Sequence, residues 1–144
     1  MEQQLLEFIG NNPLLFMALG VVLSLLVWSF LGDQISGIKP LLPQDATLLM
    51  NHEDAIVVDV REDNEYAQGH ILNSLHIPLN RLSEKIGRLE KYRKRPIIAS
   101  CMSGNRSGRA CSLLKKQGFE NVHNLKGGIV AWQNANLPLI KGKG

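Results

Sequence analysis

Ile97-Ile98-Ala99-Ser100-Cys101-Met102-Ser103-Gly104-Asn105-Arg106-Ser107-Gly108-Arg109 is the stretch on which the fold turns. It predicts a short buried strand that ends on a cysteine, then a tight loop, then a helix. Pro96 has no amide hydrogen to give a ladder, so it suits the first position of a strand. Ile97 to Ser100 is a short apolar run of the kind a central parallel strand shows. Gly104 lets the backbone turn where a side chain would forbid it. Asn105 or Ser107 is placed to cap a helix over Arg106 to Gln117. Gly118 then stops that helix.

This geometry has a chemical consequence. A cysteine at the mouth of such a loop faces inward-turned amides and a helix N-terminus, which together bind anions. The amides, the helix dipole and Arg106 all favour the thiolate of Cys101. The thiolate is the nucleophilic form of cysteine. Met102, Ser103, Gly104, Asn105, Arg106 and Ser107 are therefore expected to cradle the sulfur and hold an anionic substrate.

Cys101 followed by four residues and Arg106, after an apolar strand and before a helix, resembles the active-site loop of rhodanese (sulfurtransferase) domains. Three further segments carry the resemblance. Val57-Val58-Asp59-Val60-Arg61-Glu62 is similar to the family's Asp-x-Arg segment. Glu65 to Ile71, running on to Ser74 and Ile77-Pro78, is similar to its first signature, and Leu125 to Trp132 to its C-terminal one. The resemblance covers residues 38–140. It implies an α/β fold with a mainly parallel sheet flanked by helices. It also implies that Cys101 takes up sulfane sulfur as a persulfide and passes it to a thiol acceptor. The donor would be thiosulfate or a persulfide, and no cofactor is implied. Related phosphatases carry five residues in this loop; four make a ring sized for a sulfur atom. Met102 stands where active members often carry a basic or polar residue, so weak use of thiosulfate is expected.

The remaining candidates have plain readings. Asp59 and Arg61 support the site, as an ion pair that holds the loop or, less favoured, as a substrate contact. His70 reads as a hydrogen-bonded fold residue, Cys111 as a small buried hydrophobe, and Trp132 as core or cleft wall. Gly127-Gly128 permits close backbone approach. The four His and two Cys show no metal-ligand spacing. Two cysteines do not suggest a disulfide framework, and a reducing compartment fits them better.

Outside the loop, the chain divides by composition. Residues 1–13 form a short N-terminus with Glu2 and Glu7 and no Lys or Arg. Leu14 to Leu31 is an uninterrupted uncharged run. As a helix it would reach about 27 Å, near the roughly 30 Å of a bilayer's hydrocarbon core. Pro13 fits its first turn and Asn12 its cap. Trp28 and Phe30 suit an interface. A signal peptide would need a positive start and a small-residue cleavage site. A core helix would show a polar face, and this run offers only Ser24 and Ser29. Residues 14–31 are therefore expected to cross a lipid bilayer once. All 16 Lys and Arg follow the span, against 11 acids, a surplus of five. The positive-inside rule then sets residues 1–13 outside the cell's inner membrane and the C-terminal domain in the cytoplasm. A single-pass anchor ahead of one such domain resembles a kind of bacterial inner-membrane protein of this family.

Residues 32–37 read as a polar linker and 38–144 as the rhodanese-like domain. Within it, strands are expected at Ile38–Leu42 on an edge, Ala55–Val60, Leu75–Ile77 and Val122–Leu125. Helical segments are expected at Pro43–Met50, Glu62–Ala67, Leu82–Tyr92 and Gly127–Asn134. Such alternation predicts a parallel sheet with helices on both faces. Ligands in these sheets sit at the carboxyl ends of strands, where Cys101 falls.

Two function classes compete. One is a membrane-anchored sulfurtransferase. The other is a weakly catalytic or non-catalytic module that tethers a membrane-protein partner. The basic stretch Arg88, Lys91, Arg93, Lys94 and Arg95 would serve the second, although a solvated face explains it more simply. A phosphatase or arsenate reductase is disfavoured by the loop length. Nucleic acid is disfavoured by the modest charge and the lack of interleaved aromatics.

Overall fold

The computed structural model describes residues 1–35 and 37–143. The chain forms two compact units, Met1–Gly37 and Ile38–Gly144. The first holds α1 (Glu2–Asn11) and α2 (Pro13–Ile35). Helix α1 was not expected from composition. It ends at Asn12, whose side-chain Nδ2 donates back to the Phe8 carbonyl at 2.9 Å. Among the described residues, no amide of the first turn of α2 donates to the Asn12 side-chain oxygen, so the cap expected of it is not made. Its carbonyl alone starts α2, accepting the Leu15 and Phe16 amides. The Phe8 and Phe16 rings meet edge to face at 6.1 Å.

Pro13–Leu31 has a mean hydropathy of 2.5 and is long and apolar enough to cross a membrane. Its apolar side chains are exposed rather than packed into a core. The helix runs on to Ile35, so most of the expected linker over 32–37 is helical. A single glycine costs a helix only about 1 kcal/mol, which Gly32 does not turn into a stop. Ser36, within that linker, lies outside the described residues.

The second unit is an α/β layer structure. Its elements are β1 (Lys39–Leu41), α3 (Pro43–His52), β2 (Ile56–Asp59), α4 (Asp63–Gln68), β3 (Leu75–His76), α5 (Leu82–Lys85), β4 (Ile97–Ser100), α6 (Asn105–Lys116), β5 (Val122–Leu125) and α7 (Gly128–Asn134). The five strands lie in the order β1-β5-β4-β2-β3. Every pairing is parallel. Strand β4 is central and β1 is an edge, where Pro40 withholds no needed donor.

Each sheet face has its own core, so both sides of the central strands are buried and their sequences read as unbroken apolar runs. Val58, Ile97 and Ala99 pack with Leu82, Leu89, Leu114 and Phe119 on one face. Val57, Ile98 and Leu125 pack with Ala46, Ile129 and Trp132 on the other. Fully burying one such aliphatic side chain is worth about 1.5–3 kcal/mol.

Two expectations are corrected. Leu82–Tyr92 is not one α-helix: α5 lasts one turn, and Ile86–Tyr92 winds as a 3₁₀ segment. Gly87 falls in the middle, and glycine is a poor helix former. The tighter winding still keeps Leu82 and Leu89 in the core. Helix α6 begins at Asn105 with Gly104 before it at φ +104, and no side chain caps it. Ser107, one of the two expected caps, is turned elsewhere.

Candidate active site

Cys101 follows β4 directly, at the carboxyl end of the central strand. Its side chain is buried. Sγ accepts the Gly104 amide at 3.0 Å and faces the Ser107 hydroxyl at 3.3 Å. The Ser107 hydroxyl also lies 2.6 Å from Asn124 Oδ1. Asn124 in turn donates from Nδ2 to the Gly104 carbonyl at 3.0 Å. A side chain of β5 thus latches both the turn and the hydroxyl of the cysteine loop. Asn124 was not singled out from sequence. The strand reads Val-His-Asn-Leu, and nothing in it sets Asn124 apart from the equally polar His123.

Helix α7 holds the other side of the loop. Its first amides lack partners within the helix, as at any helix start. Ile129 donates its amide to the Cys101 carbonyl at 2.8 Å, and Val130 to the Met102 carbonyl at 3.2 Å. Gly128, at φ +58, makes this approach possible, because an added Cβ would collide with the Cys101 carbonyl oxygen.

Burial pushes the Cys101 thiol up, but donated hydrogen bonds outweigh it. They come from the Ser107 hydroxyl and from the amides of Ser107, Gly104 and Ser103, and the net result lies below an ordinary thiol. Cys111 behaves in the opposite way. Burial pushes it up to about 12, and its Sγ faces the His123 carbonyl at 3.3 Å. Alkylation of the folded chain by iodoacetamide, mapped by peptide mass, will modify Cys101 with a pH midpoint below that of free cysteine. Cys111 will stay unmodified. Equal modification of the two, or a Cys101 midpoint above free cysteine, would contradict the cradle.

Arg106 is expected from sequence to face the anion. In the structure its Nη1 and Nη2 each lie 2.7 Å from a carboxylate oxygen of Glu65. Glu65 stands in the first turn of α4 and also accepts the Glu62 amide at 3.1 Å. The Arg106 guanidinium holds its carboxyl down at about 2, against a smaller upward push from burial. In the sequence Glu65 stands only within the signature, and nothing local links it to Arg106, 41 positions away.

Asp59 and Arg61 form a buried ion pair. Arg61 donates to Asp59 from Nε at 2.9 Å and from Nη2 at 2.7 Å, and from Nη2 to the Gly69 carbonyl at 2.7 Å. Asp59 is in register with Ser100, so the pair braces the strand end just before Cys101. His70 hydrogen-bonds the Tyr66 carbonyl at 2.8 Å and stacks on the Tyr66 ring at 3.7 Å. Trp132 is core, with Nε1 donating to the Pro138 carbonyl. Met102, Ser103 and Asn105 are exposed on the loop, and Arg109 is exposed beyond it. Among the described residues there is no His, Cys, Asp or Glu cluster that would hold a metal.

A five-stranded parallel sheet with a cysteine loop at the end of its central strand defines the rhodanese-like class. The rhodanese-like domain family model matches residues 42–135, and the chain belongs to that family. It is 35% identical over 143 residues to the uncharacterized protein YibN of Escherichia coli (strain K12), covering 98% of this chain and 99% of that one. It is 38% identical over 96 residues to a sulfurtransferase of Allochromatium vinosum, covering 67% of this chain and 88% of that one. Among solved structures, the rhodanese-related protein of Thermoplasma volcanium is similar with a TM-score of 0.63 at 34% identity, over 71% of this chain and 97% of that one.

Proposed function

We propose that this protein is a membrane-anchored sulfurtransferase that carries sulfane sulfur on Cys101. The observation that carries the proposal is the polar cradle around one sulfur atom, the Gly104 amide donating at 3.0 Å and the Ser107 hydroxyl, shared with Asn124 Oδ1, at 3.3 Å. Membership of the rhodanese-like family supports it, as do relatives named sulfurtransferases. The Cys101 thiolate attacks the outer sulfur of a donor R–S–SH. The new S–S bond forms as the donor's S–S bond breaks. The electron pair leaves on R–S⁻, and the proton stays on the transferred sulfur. An acceptor thiolate then takes that sulfur, and Cys101 returns as the thiolate. The exchange is balanced without a cofactor or external oxidant. With thiosulfate as donor, sulfite would be the leaving group. The loop amides stabilise each anionic sulfur in turn.

Residues 14–31 serve as the anchor in this proposal, in the cell's inner membrane. The excess of Lys and Arg after the span supports a cytoplasmic 38–144 domain, where reducing conditions would keep the thiol free. The test uses the full chain in detergent and its Cys101→Ser variant, each incubated with thiosulfate and with glutathione persulfide. Intact mass will report one added sulfur on the wild type and none on the variant. Equal loading of both would refute the Cys101 mechanism. No loading of either would favour a non-catalytic module docked on a membrane partner.

A further inference from the structure

Arg106 is the only cation within the Cys101 to Ser107 loop, and its charge is already matched. Both terminal nitrogens are taken by the two oxygens of Glu65, each at 2.7 Å. Paired bonds of this kind, in parallel from a guanidinium to a carboxylate, are among the strongest side-chain contacts. The other loop side chains are Met102, Ser103, Asn105 and Ser107, all uncharged. The contacts recorded at Cys101 Sγ come from neutral groups, an amide and a hydroxyl. Met102 is exposed, and so is Val130, whose amide grips the Met102 carbonyl at 3.2 Å. Exposed apolar residues therefore lie on the loop and beside it, and the loop's one cationic charge is matched by a carboxylate.

A dianion entering such a place loses solvation and meets no uncommitted cation on the loop. A persulfide carries at most one charge at its reacting end and loses less. The loop amides serve either donor alike, so it is the dianion's second charge that is left without a counter-charge, and that is costly. We infer that Glu65, by neutralising Arg106, makes this loop a receiver of persulfide sulfur and disfavours the thiosulfate dianion. This rests on the sulfurtransferase proposal above. Glu65 is here a specificity-determining residue that acts through Arg106. Lowering the pH across the working range would not release Arg106, because the Glu65 carboxyl titrates only at about 2. The charge must be removed by substitution.

The experiment compares the full chain in detergent with Glu65→Gln and with Met102→Arg. The glutamine keeps a hydrogen-bond acceptor for Arg106 and removes the cancelling charge. The arginine adds a cation that Glu65 does not hold. Each chain is loaded by thiosulfate and, separately, by cysteine persulfide, and sulfur on Cys101 is followed by intact mass. The readout is the ratio of the two loading rate constants, in which any loss of folded fraction cancels. Both variants should raise the thiosulfate-to-persulfide ratio by about tenfold, the effect of one uncompensated charge at short range. Added salt should shrink that gain. An unchanged or lowered ratio in Glu65→Gln would overturn the inference and leave Glu65 as a clamp between α4 and the loop, even if Met102→Arg raised its own ratio. A wild type that loads from neither donor would overturn the sulfurtransferase proposal itself, and this inference with it.

Discussion

Asp59→Ala will lower the thermal midpoint of the full chain by roughly 12–20 °C, followed by circular dichroism in detergent. Arg61 is 2% exposed and Asp59 is its carboxylate partner, at 2.7 Å. Removing one member of a buried pair costs about 3–5 kcal/mol, because the other is left charged and unmatched. A domain of about 100 residues loses about 4 °C per kcal/mol. The loss is thus a large part of the 5–15 kcal/mol that holds a typical domain folded. Arg61 would keep only the Gly69 carbonyl among the partners of its Nη2. The double variant Asp59→Leu, Arg61→Met separates the cause. It removes both charges, so most of the midpoint should return if the unmatched guanidinium is the source of the loss. A fall of only a few degrees in Asp59→Ala would show that water reaches Arg61 and that the pair does not brace the strand end.

The sequence made the sheet and the cysteine loop legible for physical reasons that the structure bears out. Pro96, the run Ile97 to Ser100 and Gly118 fix β4 and the end of α6 by purely local rules. The local signal fails where a partner is distant or the backbone choice is close. Glu65 and Arg106 meet across 41 positions, and no spacing rule links them. Asn124 is an ordinary polar residue until β5 is known to lie beside β4. Only then does its side chain reach Gly104 and Ser107. Leu82, Ile86 and Leu89 carry a true helical period, yet Gly87 tips the segment into 3₁₀ winding. Ser107 satisfies the statistics of a helix cap, but the sulfur and Asn124 compete for its hydroxyl and win it. Local preference was outweighed in that case by the tertiary contacts of the hydroxyl.

Gly128→Ala will cut sulfur loading of Cys101 by about a hundredfold or more while leaving the protein folded. Two effects add. At φ +58 a side chain is strained, by about 1–2 kcal/mol for an L-residue. The added Cβ also lies 2.6 Å from the carbonyl carbon and oxygen of Met102. Those are backbone atoms and cannot rotate away, so the loop or α7 must shift. A shift breaks the register in which Ile129 and Val130 grip the Cys101 and Met102 carbonyls. Misplacing a reacting group by about 1 Å can cost on the order of a hundredfold in rate. Gly127→Ala is the control. It has a similar strain at φ +73, but its Cβ would press on the Ala131 side chain inside α7, not on the loop. If strain alone mattered, the two variants would lose loading equally. If loop contact is decisive, Gly127→Ala will lose stability by more than the roughly 1–2 kcal/mol of backbone strain, because the Ala131 Cβ stands 2.6 Å from the added atom, and will keep most of its loading. Wild-type loading by Gly128→Ala would mean that the cysteine loop tolerates displacement, and that α7 merely covers the site without setting its geometry.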